Sequence, residues 1–440
     1  MIRVFAVLMA FWSMPGLGLE VLDMQQRSAV IDAVLEQRLS DVLPALMRRE
    51  KIDMWVVMSR EYNEDPVLKT LLPSTWLSAR RHTMLVIYDP GSDKPVERHA
   101  VARYAVGDLF AKAWDKEQQP DQWQALAQLI ADRNPNKIAI NVSEHFALAD
   151  GMSSTENRRF IAALSPQMRA RVVPGQQLAL GWLEARSELE MEHYPQLTAL
   201  GHKLIATAFS NAVVTPGVTT TDDVVWWLRD KTTALGLTNW FHPTVSIQRA
   251  DAEKFDQITA FSKRPEANII QPGDLIHVDF GLTYLRLNTD QQQHAYVLKP
   301  GETEPPASLQ KALVAGNRLQ DILTAQFKVG RSGNEILALS RAKAIAEGLK
   351  PAIYTHPLGY HGHAAGPTIG MWDAQDGVPV TGDYRMNDNT VYSIELNAAT
   401  FIPQWDKEIR IMLEEDAYFD GRKVNYLSGR QRAFHLISSN

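Results

Sequence analysis

From Met24 to about Lys51 the apolar residues Val30, Ile31, Val34, Leu35, Leu39, Val42 and Leu43 return every three or four positions, which predicts a helix. Short apolar runs follow at Met54 to Met58, His82 to Tyr88 and Lys137 to Val142. Between the last two, Trp123, Leu126, Leu129 and Ile130 are again spaced as on a helix. Strands alternating with helices predict an α/β domain over about residues 20–180, closing near Pro174-Gly175.

The second half carries an internal echo. Thr215-Pro216-Gly217-Val218-Thr219 leads into a helical run from Val224 to Leu235, closed by Gly236-Leu237 and followed by His242-Pro243. Ser332-Gly333-Asn334-Glu335 leads into Ile336 to Ala346, closed by Gly348-Leu349 and followed by His356-Pro357. A further helical run precedes each copy, at about Glu188 to Val213 and Pro306 to Lys328. Two copies of a helix pair plus strands predict an α+β domain over residues 181–440 with a pseudo-two-fold repeat and a site between its halves.

Acids interrupt the apolar strands of this second half. Asp279 lies inside Leu275-Ile276-His277-Val278-Asp279-Phe280-Gly281, where an unpaired carboxylate costs several kcal/mol or more. Asp290 follows eleven positions on, and a hairpin turning near Leu285 brings the two face to face; a capping or turn aspartate is the plain alternative for Asp290. Glu395 sits among Val391, Ile394 and Leu396. In Ile409 to Glu414 the alternation sets Arg410, Met412 and Glu414 on one face, so an Arg410–Glu414 ion pair competes with a functional role for Glu414. Between the acid pairs runs Gly359-Tyr360-His361-Gly362-His363-Ala364-Ala365-Gly366, whose two histidines share strand parity. Four converging carboxylates repel one another unless cations are present, and two divalent ions balance them.

Composition narrows the chemistry. The 440 residues contain no cysteine, so disulfides, thiolate nucleophiles and cysteine-type zinc sites are excluded, and any metal is held by His, Asp and Glu. The net charge of -6 comes without a basic, aromatic-interleaved patch, so no nucleic-acid partner is expected. At the start, Arg3, the apolar run Val4 to Trp12 and the small residues up to Gly18 resemble a secretory signal peptide over residues 1–19, cut near Gly18. An uncleaved anchor, which takes about 20 apolar residues, and a buried N-terminal helix are the alternatives. The expected location is the periplasm or outside the cell, with no stable membrane insertion once the leader is removed.

In order and spacing, Asp279, Asp290, the Gly-rich histidine segment, Glu395 and Glu414 resemble the pita-bread family of methionine aminopeptidases, prolidases, aminopeptidase P and creatinase, over about residues 185–425. The N-terminal α/β domain resembles the extra domain of the prolidase, aminopeptidase P and creatinase branch. The resemblance implies a metallopeptidase, of Xaa-Pro aminopeptidase or dipeptidase type, working through a metal-bridging hydroxide. Asp279 would chelate one metal, Asp290 and Glu414 would bridge, and His363 and Glu395 would hold the second. His363 is preferred to His361 because Gly362 precedes it and Gly366 follows three later. Glu395 and His361 are the catalytic candidates, and His356 and His361 the substrate-side ones. Mostly oxygen ligands with one imidazole favour manganese, with cobalt, zinc or iron as alternatives.

The resemblance has gaps. The family's substrate-side His about seventeen residues before the first Asp has no counterpart in Phe255 to Arg264, where Ser262 stands at that spacing. The His seven residues after His363 is replaced by Gly370, the one four before it by Gly359, and the usual Thr-Arg after the second Asp by Gln292-Gln293, next to His294. These gaps concern substrate more than metal. Peptides or other small amides are therefore the expected partners, a non-peptidase C–N hydrolase and a non-catalytic binding homologue are the competing readings, and family resemblance implies a homodimer.

Overall fold

The computed structural model describes residues 21–91, 94–251 and 268–439; the expected leader over 1–19 and the segment Phe255 to Arg264 lie outside them. Asp23 caps the first helix, Met24–Gln37, through a capping box with Gln26, and the helical path continues through Arg38–Val42 and Leu43–Glu50 to a left-handed Lys51. The expected strands are in place as Met54–Arg60, His82–Tyr88 and Ile138–Ile140. They are the centre of a six-stranded mixed sheet that Glu97–Val101 and Ala111–Lys112 extend on one side and Val172–Pro174 on the other. The helices Gln122–Arg133 and Ser154–Ala163 cover it. Its other face packs on Leu35, Leu43 and Met47 and on the helix Gln176–Glu184, which runs through residue 180.

The echo in the second half is structural. Glu188–Ala208 packs on Thr221–Ala234, and Ala307–Thr324 packs on Gly333–Ala346. The second helix of each pair opens on a capping box, from Thr220 to Asp223 and from Ser332 to Glu335. Three sheets lie against these helices. One orders His435–Ile437, Gln291–Val297, Leu275–Phe280 and Thr244–Gln248; the second, Lys350–Ile353, Leu396–Ile402 and Lys407–Leu413. The third orders His356–Leu358, Thr390–Ser393, Asp416–Phe419 and Val424–Tyr426. A single bridge between Gln292 and Glu414 ties the first sheet to the end of the second.

A charged junction joins the two parts. Arg38 is fully buried, donates to Glu190 Oε2 at 2.7 Å and lies over the rings of Trp182 and Tyr360 at 4.3 and 5.1 Å. Arg186 donates to Glu190 Oε1 at 2.9 Å and covers Tyr360 at 5.0 Å, so two guanidiniums grip the loop that follows His356. Nearby, Glu184 accepts hydrogen bonds from Tyr384 Oη at 2.7 Å and Asn387 Nδ2 at 2.6 Å. Burial pushes its carboxyl from 4.5 up to about 7 against those two bonds. The folded chain therefore holds a proton that the unfolded chain releases above its ordinary value. Stability is full below about pH 4.5 and falls as pH rises through about 7, by roughly 3 kcal/mol at about 1.4 kcal/mol per unit. Glu184→Gln keeps an acceptor for both donors, so its melting temperature is expected to drop less than that of the native chain between pH 5 and 8, as read by calorimetry.

Candidate metal centre

Each element delivers one side chain to a single point. Asp279 is near the end of Leu275–Phe280 and stands opposite Gln292 in the antiparallel ladder. Asp290 immediately precedes Gln291–Val297, after a small hairpin whose turn residues Leu285 and Arg286 have φ of 52° and 67°. That left-handed pair is costly for non-glycine residues. Arg286 is held there by bonds to the carbonyls of Leu72 at 2.7 Å and Pro73 at 3.2 Å. Glu395 falls in the break between Thr390–Ser393 and Leu396–Ile402, and Glu414 follows Lys407–Leu413. Arg410 is not committed to Glu414; it donates to Asn397 Oδ1 at 2.8 Å.

The histidine in the middle is His356. Its Nε2 lies 3.6 Å from Asp290 Oδ2, 3.9 Å from Glu395 Oε2 and 3.5 Å from Glu414 Oε1. Three sets of ligand atoms cluster within 4.8 Å: Asp279, Asp290 and Glu414; His356, Glu395 and Glu414; and Asp290, His356 and His363. His356, assigned to the substrate side, is the histidine between the carboxylates, while His363 shares one cluster with it and His361 shares none among the described residues. His356 heads a strand paired with Thr390–Ser393, directly opposite Ser393, which aims its ring at the acids that follow. Residues 359–363 form bends rather than the strand that parity assumed. His363 is exposed at the edge of the site, its ring 4.8 Å from His356 and 5.3 Å from Trp240, with Nε2 3.3 Å from Tyr354 Oη. Trp240 wedges so closely that a Cβ at Gly362 would come within 2.3 Å of it, which explains the glycine before His363. His361 Nδ1 is buried without a hydrogen-bond partner, and burial, then the charges of Arg186 and Lys69, push its ring down to about 4. It belongs to the junction between the two parts rather than to the acid cluster.

Electrostatics test whether divalent cations fit. Burial pushes the carboxyls of Asp279, Asp290 and Glu395 well up, and the Glu414 charge pushes each further. Asp279 Oδ1 and Asp290 Oδ1 are buried with no hydrogen-bond partner, whereas buried polar atoms are ordinarily satisfied. Crowded acids with orphaned oxygens and an imidazole among them are a donor set for hard or borderline divalent ions. Supporting bonds come from residues without a sequence signal. Ser393 Oγ donates to Glu414 Oε1, and Asp416 Oδ1 accepts the Asp290 N–H at 3.0 Å while its Oδ2 accepts from Thr198 Oγ1 at 3.0 Å. The acid run Glu414-Glu415-Asp416 carries the one hint of this layer, and Glu415 faces away to His202 Nε2 at 2.5 Å.

A buried two-lobed site of four carboxylates and one central imidazole defines a metal-dependent hydrolase of α+β pita-bread fold, behind an α/β N-terminal domain. The model of metallopeptidase family M24 matches residues 196–418, more than half of the chain, and the chain belongs to that family. Among solved structures, the chain is similar to an X-Pro aminopeptidase from Thermotoga maritima MSB8, with 16% identity and a TM-score of 0.62 over 89% of this chain and 99% of that one. It is also similar to the dipeptidase PepE from Mycobacterium ulcerans, at 16% identity and a TM-score of 0.60 over 92% and 99%. For a Xaa-Pro dipeptidase from Bacillus anthracis the values are 13% and 0.57 over 94% and 100%. No curated protein matches the sequence. None of the described helices is long and apolar enough to cross a membrane.

Proposed function

We propose that the chain is an exported two-metal peptidase that cleaves Xaa-Pro bonds, with Asp279, Asp290, His356, Glu395 and Glu414 as the metal ligands. The observation that carries it is the convergence of His356 Nε2 and three carboxylates within 3.9 Å, beside two aspartate oxygens with no other partner. Taking His356 as the ligand also repairs one gap in the family resemblance, since His363 follows it by seven, and it keeps a glycine, Gly359, three residues on. Asp290 and Glu414, shared between clusters, suit bridging positions. Divalent ions held there, manganese by donor type with cobalt, zinc or iron as alternatives, would supply an acidified water and a Lewis acid for the scissile carbonyl.

The chain's own groups do the rest. Glu395 Oε2 faces the cluster and moves the proton from the attacking water to the leaving amine. Burial, more than the neighbouring His356, pushes the His363 ring down to about 4, so it meets substrate as a neutral hydrogen-bonding group at the rim. Tyr354, Trp372, Met412 and Asn397 line a recess of about 20 Å³ beside Glu395, room for little more than a water molecule. The leader over 1–19 supports export, and family resemblance supports a homodimer. The Xaa-Pro preference draws its support from the titles of the solved relatives. The absence of a histidine across Phe255 to Arg264 favours a second reading, hydrolysis of another small amide.

Metal-stripped protein reloaded with manganese, cobalt or zinc is expected to cleave Xaa-Pro peptides and to lose that activity in EDTA. Cleavage of small amides with none of any peptide selects the second reading, and no metal-dependent turnover on either panel overturns hydrolysis.

A further inference from the structure

Gln292 is a neutral side chain in the most acidic part of the molecule. Its amide nitrogen lies 2.8 Å from Glu395 Oε1 and 2.6 Å from Glu414 Oε2. Two facing carboxylate oxygens require hydrogens between them, so this end of the amide is the NH2 group and each hydrogen serves one glutamate. Gln292 Oε1 therefore points the other way, to His277 Nε2 at 2.9 Å, and His277 donates from that nitrogen. The His277 Nδ1 lies 3.5 Å from Ser246 Oγ, on the neighbouring strand. Ladder register enforces the line, because Ser246 is paired with His277, and Asp279, two residues on, with Gln292. Gln292 is further fixed by two backbone bonds to Glu414, its N–H to the carbonyl at 3.0 Å and the return bond at 3.2 Å.

The geometry divides each glutamate in two. Glu395 Oε1 and Glu414 Oε2 are taken by Gln292, while Glu395 Oε2 and Glu414 Oε1 face His356 Nε2 at 3.9 and 3.5 Å. We infer that Gln292 is a positioning residue that brackets Glu395 and Glu414 and turns their inner oxygens to the metal, and that His277 acts through it by locking the amide's orientation. A flipped amide would set its carbonyl against two carboxylates, so removing the His277 donor frees the wrong rotamer. The inference rests on the metal reading above and concerns residues that act through the metal ligands rather than as ligands.

The test is calorimetric titration of manganese into the metal-stripped full-length protein, with melting curves of the metal-free forms alongside. Gln292→Met keeps length and removes the amide; manganese is expected to bind about 10- to 100-fold more weakly, the usual cost of losing a partner behind a ligand. His277→Phe is expected to weaken binding about tenfold in the native background and not at all beside Gln292→Met, since it acts through that residue. A purely structural role would lower the melting temperature and leave the affinity of the folded fraction unchanged. Binding by either single variant within about twofold of native overturns the inference, as does an equal His277→Phe loss in both backgrounds. If Gln292→Met does not fold, His277→Phe alone decides, and unchanged affinity there overturns it. A native chain that binds no manganese, cobalt or zinc removes the metal reading itself; a native chain that binds metal no better than the folded variants removes only this inference.

Discussion

Glu414→Ala is expected to lose both metal ions and to reduce kcat by at least roughly 1000-fold, a barrier increase of about 4 kcal/mol. Glu414, like Asp290, belongs to two of the three ligand clusters among the described residues, and it alone joins the cluster of Asp279 and Asp290 to that of Glu395, so its removal leaves neither of those two clusters complete. The same variant should not be less stable without metal. The Glu414 charge is among the forces pushing Asp279, Asp290 and Glu395 up, and deleting it relieves a crowd of buried acids. Its side chain does accept bonds from Ser393 and Gln292, which an alanine leaves to each other or to water. Elemental analysis, turnover and a metal-free melting curve on one preparation check all three parts. A metal-free melting temperature well below native, with metal still bound in the folded fraction, would place Glu414 in the fold rather than in the site.

The second large effect separates the histidines. His356→Ala should lose metal and fall by a similar factor, because its Nε2 lies within 3.9 Å of three ligand carboxylates. His363→Ala should keep metal and lose about 10- to 100-fold in kcat/KM, the range expected for a hydrogen-bonding group rather than a ligand. His361→Ala should change both least, since its ring lies with Arg186 and Lys69 at the junction. Metal content measured beside kcat/KM for the three variants decides the order. Loss of metal in His363→Ala with retention in His356→Ala would restore the spacing argument over the geometric one.

Asp279, Glu395 and Glu414 were legible because a carboxylate beside or inside an apolar strand is costly unless something holds it, and Asp290 only through its eleven-residue step from Asp279. The turn near Leu285 was legible for a different reason: eleven positions between two inward acids leave room only for a hairpin, although Leu285-Arg286 is a poor turn pair by composition. What makes that turn tolerable, the carbonyls of Leu72 and Pro73, lies over 200 positions away and leaves no local trace. The proline after His356 argues against a strand. Pro357 is nonetheless in one, as His356–Leu358 is the outermost strand of its sheet, where a missing N–H costs nothing. Parity arguments then failed for His361 and His363, whose segment bends around Trp240 and Tyr360 instead of running straight. Gln292 stood out in the sequence only as a departure from the family's Thr-Arg pair, and nothing there shows its two amide hydrogens facing two glutamates.

The central claim is that one metal centre is built on Asp279, Asp290, His356, Glu395 and Glu414, and anomalous diffraction from crystals grown with manganese tests it most directly. Two peaks about 3.5 Å apart are expected, with His356 Nε2 at one of them and Asp290 and Glu414 between the two. No peak within bonding distance of Asp290 and Glu414, or a metal held by His361 or His363 with His356 turned away, would contradict it.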